Sequence, residues 1–203
     1  MSTGLKANAD GSAAIQVGGS DAITITSGLN TTFAGTIAVT GSTTALYPLV
    51  SGTAVASTSG TSIDFTGIPS TAKRITVMFN GVSFNGTSNM LIQIGSGSII
   101  NAGYTSTSAT VISGSASSGV TSTAGFIEAT GAAANIISGH AVLINISSTL
   151  WVFSHSHGFL NAAAASCGGG TSPTLSGALD RIRITTTNGT DTFDAGTINI
   201  MWE

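Results

Sequence analysis

Apolar and polar residues alternate with a period of two along much of this chain, and this pattern predicts β-strands. The alternation is clear in the second half and continues to the end, where Ile198, Ile200 and Trp202 share one parity. A period of two places one set of side chains on one face of a strand. Asn-Gly pairs between the alternating segments favour tight hairpin turns, because both residues tolerate positive φ. No segment has a convincing helical pattern.

The strands predicted over residues 62–203 are long enough to form a compact C-terminal knob. We expect an all-β fold with an antiparallel β-sandwich or jelly roll in this region, preceded by a linker at residues 46–61. Arg181 and Arg183 share the outer face of one strand, and Asp64, Glu128 or a carboxylate of a neighbouring subunit could pair with them. The residues predicted for the core are Ile75, Val77, Phe79, Val142, Ile144, Ile146, Ile182, Ile184, Ile198 and Ile200.

Residues 1–45 have a different pattern, in which short apolar pairs are separated by Gly, Ser, Thr and Asn. A strand with only two apolar residues buries too little surface to be stable alone, but three chains wound together could share a core. We therefore predict an extended N-terminal arm or short fibre shaft in a homotrimer. Its predicted contacts with other copies or with a larger particle are Ile15, Val17, Ile23, Ile25, Ile37 and Val39.

Charged residues are scarce, at 6% of the chain against about 25% in an ordinary soluble domain. A surface with so few charges resists self-association poorly. The composition therefore predicts that much of the surface is covered by copies of the chain or by a larger assembly. The five Lys and Arg residues and the net charge of -3 argue against nucleic acid as a partner.

Targeting and redox features are few. No apolar run approaches the ~18 residues of a membrane-spanning helix, so membrane insertion is not expected. The first residues lack the pattern of a secretion signal, and Cys167, the single cysteine, has no intrachain partner for a disulfide. We expect the chain to be made and assembled in a reducing cytoplasm.

His155-Ser156-His157 is the strongest candidate for a binding site, because histidines at i and i+2 project from the same face of a strand. Three such pairs around a trimer axis would supply six imidazoles to a divalent metal ion. The alternative is that both histidines are polar surface or interface residues. No other cofactor is predicted. Asp191 and Asp194 lie in a Gly-rich loop that could bind Ca²⁺, although such residues more often bond their own backbone.

The sequence does not indicate an enzyme. It contains no GxSxG nucleophile elbow, no HExxH zinc motif and no GxxxxGK[ST] phosphate-binding loop. Ser, His and Asp occur, but in a chain so rich in Ser their presence carries little information.

Four blocks stand out in the C-terminal part: DFTGIPSTAKRITVMFNGVSFNGTSNMLIQIG, GYTSTSATVISG, TAGFIEA and LSGALDRIRITTTNGTDTFDAGTINIMWE. Together they resemble a C-terminal module of virion proteins of tailed bacteriophages, and residues 9–41 resemble the shaft that often precedes it. The resemblance implies a homotrimer in the virion, assembled in the host cytoplasm. Its leading role would be a tail fibre or receptor-binding protein that contacts other virion proteins and a host receptor or glycan. The alternative is a capsid decoration (cement) or head-fibre protein.

Overall fold

The computed structural model describes residues 3–7, 9, 13–17, 20–25, 31–32, 49–130 and 132–203. All helices and strands in a structure are its regular elements, and in these residues the regular elements are β-strands alone. Every strand pairing among them is antiparallel. The chain divides into two compact units, Met1–Leu46 and Tyr47–Glu203. The protein is therefore all-β, as the period-two pattern predicts.

The N-terminal unit contains a four-stranded sheet in chain order, formed by β1 (Thr3–Ala7), β2 (Ala13–Val17), β3 (Ser20–Ile25) and β4 (Thr31–Thr32). Ile15 lies opposite Ile23 in the β2–β3 register, and 42% of Ile15 is exposed. The neighbouring Ala14 is buried. The side chains of the other residues predicted for interchain contacts lie outside the described residues; these are Val17, Ile23, Ile25, Ile37 and Val39.

The described residues of the C-terminal unit form fourteen strands. They are β5 (Val50–Ser51), β6 (Val55–Ala56), β7 (Ser62–Thr66), β8 (Arg74–Phe84), β9 (Met90–Ser96), β10 (Ser98–Ile99), β11 (Thr105–Ile112), β12 (Ser118–Ser122), β13 (Phe126–Glu128), β14 (Ile137–Ser147), β15 (Leu150–Phe159), β16 (Ala164–Thr171), β17 (Arg181–Thr186) and β18 (Phe193–Trp202).

These strands form two sheets. The larger has the order β12-β11-β16-β15-β14-β8-β18-β5, with β6 also paired to β18. The smaller has the order β10-β9-β17-β7, with β13 also paired to β9. One cluster of buried hydrophobic residues includes members of both sheets, so the sheets pack against each other through it. This arrangement is consistent with a β-sandwich.

The inward faces follow the alternation of the sequence in most strands. Seven of the residues predicted for the core are buried: Ile75, Val77, Phe79, Ile182, Ile184, Ile198 and Ile200. They come from β8, β17 and β18, so both sheets contribute to the cluster.

The predicted face of β14 is wrong by one residue. Ala141 and Leu143 point into the core, whereas Val142 is half-buried and Ile144 and Ile146 are exposed at 47% and 61%. Both faces of this strand carry apolar side chains, so a period of two alone does not distinguish the inner face from the outer one.

The segment predicted as a linker, residues 46–61, is not a free connection in its described part. Val50–Ser51 and Val55–Ala56 pair with β18, and the Ser57 hydroxyl donates a hydrogen bond to the carbonyl of Ala195 at 2.8 Å. These residues pack on the C-terminal unit because the last strand still has free backbone groups on this side.

Candidate functional site

The HxH motif lies in the middle of β15, on its inward face. Phe153, His155, His157 and Phe159 alternate along that face, and neighbouring ring centroids lie 5.3–5.5 Å apart. His155 is 5% exposed and His157 is 2% exposed. The two imidazoles are therefore core residues of a single chain, which argues against both the surface position and the trimer-axis site considered from the sequence.

A carboxylate from the opposite sheet meets the two histidines. Glu128 ends β13, which pairs with β9, and its side chain is fully buried. Its Oε2 lies 3.1 Å from Nδ1 of His157 and 3.6 Å from Nδ1 of His155. The three side chains thus bring two Nδ1 atoms and one carboxylate oxygen together between the sheets.

The other nitrogen of each imidazole also has a partner. Nε2 of His157 lies 3.2 Å from the carbonyl oxygen of Ala129, which can only accept, so this nitrogen carries a hydrogen. Nε2 of His155 lies 2.9 Å from Oγ of Ser108. Ser108 in turn accepts the backbone N–H of Ala129 at 3.0 Å and bonds Oγ of Ser166 at 3.0 Å. The hydroxyls of β11 and β16 therefore orient the histidine and also hold β13.

Burial affects the protonation of His155. Desolvation lowers the pKa of His155, the negative charge of Glu128 opposes that shift, and the neighbouring His157 adds to it. Two buried polar atoms of the cluster have no hydrogen-bond partner among the described residues, Nδ1 of His155 and Oε1 of Glu128. Such atoms are costly in a protein interior, so they are the sites at which a ligand would stabilise this structure most.

Ser108, His155 and Glu128 follow the order of a serine-hydrolase triad, hydroxyl to Nε2 and Nδ1 to carboxylate. The geometry does not support that chemistry. Ser108 is buried in the core, and the Nδ1 to Oε2 separation of 3.6 Å is longer than a hydrogen bond. A substrate cannot reach a nucleophile that is closed between two sheets.

The remaining predicted polar features are ion pairs and turns. Arg183 donates two hydrogen bonds to Asp64, at 2.7 and 2.6 Å, and Arg181 pairs with the adjacent Asp180. The hydrogen bonds from Arg181 lower the pKa of Asp180. Asp191 accepts hydrogen bonds from the backbone of Ser88 and from the Asn188 amide, so protein donors already occupy its carboxylate.

One open cleft lies beside the β11–β12 hairpin. Its volume is about 680 Å³, and hydroxyl-bearing residues and glycines dominate its lining. Lining residues are Tyr104, Thr105, Ser106, Thr107, Thr121, Ser122, Thr123, Gly169, Gly170 and Thr171. The Tyr104 hydroxyl is used internally, since it accepts the N–H of Ile94 at 2.9 Å. The hydroxyls of Ser106, Thr107 and Ser122 are also bonded within the protein, and the cleft carries no charged residue.

Glu128, Ser108 and Ser166 are the parts of the site that sequence reasoning missed. The sequence suggests Glu128 only as an ion-pair partner of Arg181 and Arg183. One signal was available, an isolated acidic residue within the apolar segment Phe126–Ala129. The two serines gave no signal in a chain where Ser is so common.

Comparisons with protein-family models, with characterised proteins and with solved structures gave no match. Among the described residues, no helix is long and apolar enough to cross a membrane.

Proposed function

We propose that this chain is a structural protein of a tailed-phage virion, with a leading role as a tail fibre or receptor-binding protein. In this proposal the C-terminal unit is a jelly-roll knob, and the N-terminal unit is the arm or shaft that joins three chains and attaches them to the particle. The blocks that resemble phage virion proteins supply the strands β8 and β18 of the larger sheet and β9 and β17 of the smaller one.

The observation that carries the proposal is a broad sheet face without charge. Five adjacent strands of the larger sheet, β12, β11, β16, β15 and β14, contain no Asp, Glu, Lys or Arg. Val111, Ile144 and Ile146 are exposed there. A face of this kind associates readily, and permanent cover by other copies or by a virion protein explains why it carries no charges.

Two further features support an adhesive role. The cleft beside the β11–β12 hairpin carries no charged residue, so it suits a neutral ligand such as a host glycan. In the N-terminal unit, exposed Ile15 offers apolar surface for contact with another chain. The function needs no catalysis, and the only triad-like arrangement described above is sealed in the core.

Quantified protein bands from purified virions of the encoding phage would test this proposal. A tail appendage is expected in tens of copies or fewer, and a capsid decoration protein in hundreds. Labelled antibody in electron micrographs should bind the tail, and purified protein should compete with the phage for adsorption to its host. Absence of the chain from purified virions would refute the proposal, and capsid labelling would favour the decoration role.

A further inference from the structure

We propose that Glu128, His155 and His157 bind one divalent transition-metal ion, with Zn²⁺ as the best match, in the core of the C-terminal unit. The inference concerns a single chain and does not depend on the virion role. The ion would contact β13 of the smaller sheet and β15 of the larger one, and so would link the two sheets from inside.

The ligand distances fit such an ion. Zn–N and Zn–O bonds of about 2.0–2.1 Å in a tetrahedron place neighbouring ligand atoms about 3.3 Å apart. Oε2 of Glu128 lies 3.1 Å from one Nδ1 and 3.6 Å from the other, and ligand atoms of the three residues all lie within 4.8 Å of one another. Small side-chain adjustments would therefore close the site around an ion.

The surroundings already have the form of an outer ligand shell. Metal-bound histidines usually donate the hydrogen of their second nitrogen to a nearby acceptor. Nε2 of His157 faces the Ala129 carbonyl, and Nε2 of His155 faces the Ser108 hydroxyl. Ser108 can accept both that hydrogen and the Ala129 N–H while it donates to Ser166. Both Nδ1 atoms are then left to face Glu128.

The two unpartnered atoms form the independent support for this site. Nδ1 of His155 and Oε1 of Glu128 are buried without a hydrogen-bond partner among the described residues. An ion would bind Nδ1 of His155 as one of its ligand atoms. Oε1 of Glu128 could supply a fourth ligand atom from the same carboxylate. Two imidazoles favour Zn²⁺, Co²⁺ or Ni²⁺ over the oxygen-preferring Ca²⁺ and Mg²⁺.

The test uses the full chain without a histidine tag, in a Cys167→Ser, His140→Gln background. This background removes the single thiol and the one histidine outside the cluster, so the cluster keeps the only imidazoles. The protein is unfolded, stripped with chelator and refolded with either Zn²⁺ or chelator. Elemental analysis should then find about one zinc per chain. The unfolding midpoint should rise by roughly 5–10 °C at a hundredfold excess of ion over its dissociation constant.

Co²⁺ provides a spectroscopic check, because a four-coordinate site absorbs visible light far more strongly than six-coordinate aqueous Co²⁺ does. Glu128→Gln in the same background should lose the stoichiometric ion and the midpoint shift. If that variant does not fold, the zinc content and unfolding midpoint of the protein with the unaltered cluster still test the proposal. A refolded protein without stoichiometric zinc, and with the same midpoint in Zn²⁺ and chelator, would overturn the proposal. Retention of the ion by folded Glu128→Gln would also overturn it.

Discussion

At the scale of single residues, Ile184 and Arg183 are neighbours on β17 with opposite surroundings. Ile184 is fully buried between the sheets, whereas Arg183 lies on the outer face in an exposed pair with Asp64. Ile184→Ala should lower the free energy of unfolding by ~2–5 kcal/mol, since it loses burial and leaves a cavity. Arg183→Ala should cost ~1 kcal/mol or less, because exposed ion pairs contribute little. Denaturant unfolding of both variants measures the difference, and the reverse order would mean that the arginine face is covered.

Tyr104 should make the protein sensitive to alkali. Burial raises the pKa of its hydroxyl from 10.0 to about 12, against the opposing effect of the hydrogen bond from Ile94. The unfolded chain loses this proton near pH 10 and the folded chain near pH 12. Between these values the folded state holds more protons, so stability is full below pH 10 and falls as the pH rises, by about 1.4 kcal/mol per pH unit. Unfolding at pH 9, 10 and 11 should show this decline.

Two variants isolate the Tyr104 effect. Tyr104→Phe should be less stable at pH 9, because the Ile94 N–H loses its partner, but it should lack this part of the alkaline decline. In Tyr47→Phe the remaining phenol is Tyr104, and its absorbance titration should have a midpoint near pH 12. A midpoint near 10 would show that the hydroxyl is solvated.

At the scale of elements, β16 needs a residue without a side chain where it passes the buried cluster of Glu128, His155 and His157. A Cβ on Gly168 would lie 2.7 Å from Nε2 of His155 and would overlap the carbonyl of Thr107. Gly168→Ala should therefore cost ~1–3 kcal/mol through overpacking. Gly158→Ala on the adjacent β15 is the matched control, because a Cβ there meets open space; it should be neutral or stabilising by about 0.5 kcal/mol. Equal effects in thermal melts would contradict this account of β16.

The strands show where sequence patterns are sufficient and where they fail. In β17, Arg181 and Arg183 mark one face as outer, so Ile182 and Ile184 could be assigned to the core. In β14 no charge marks either face, and the pattern predicts the more strongly apolar side for the core although that side faces outward. The scarcity of charged residues predicts a covered surface. It also removes the charged side chains that would identify the outer face of a strand.

The candidate site was predictable only in part for a similar reason. The HxH spacing placed two imidazoles on one face, and that geometry is local to β15. Glu128 comes from the other sheet, and no local spacing connects it with His155. Its meeting with the histidines depends on which strands pair and how the sheets pack, so it belongs to the tertiary structure.

At the scale of the whole molecule, the distribution of charge differs between the two sheets. The smaller sheet carries Asp64, Arg181 and Arg183 on β7 and β17, and these residues form exposed ion pairs. The five strands β12, β11, β16, β15 and β14 of the larger sheet carry no charged residue. In the proposed virion role, we expect the larger sheet to face protein and the smaller one to face solvent.

The assembly itself should be a trimer in which the uncharged face makes contacts between chains, in addition to those proposed for the N-terminal unit. Sedimentation of the intact protein at micromolar concentration should give ~60 kDa, three times the 20.0 kDa chain. Ile144→Asp with Ile146→Asp should shift this mass toward that of one chain, because both residues are exposed in the single chain and the new charges would be desolvated in the interface. The control, Ser70→Asp with Thr187→Asp, adds the same charge at exposed positions away from this face and should stay trimeric. A monodisperse wild-type monomer would refute the trimer, whereas a trimer that survives the Ile144 and Ile146 changes would place the interface elsewhere on the chain.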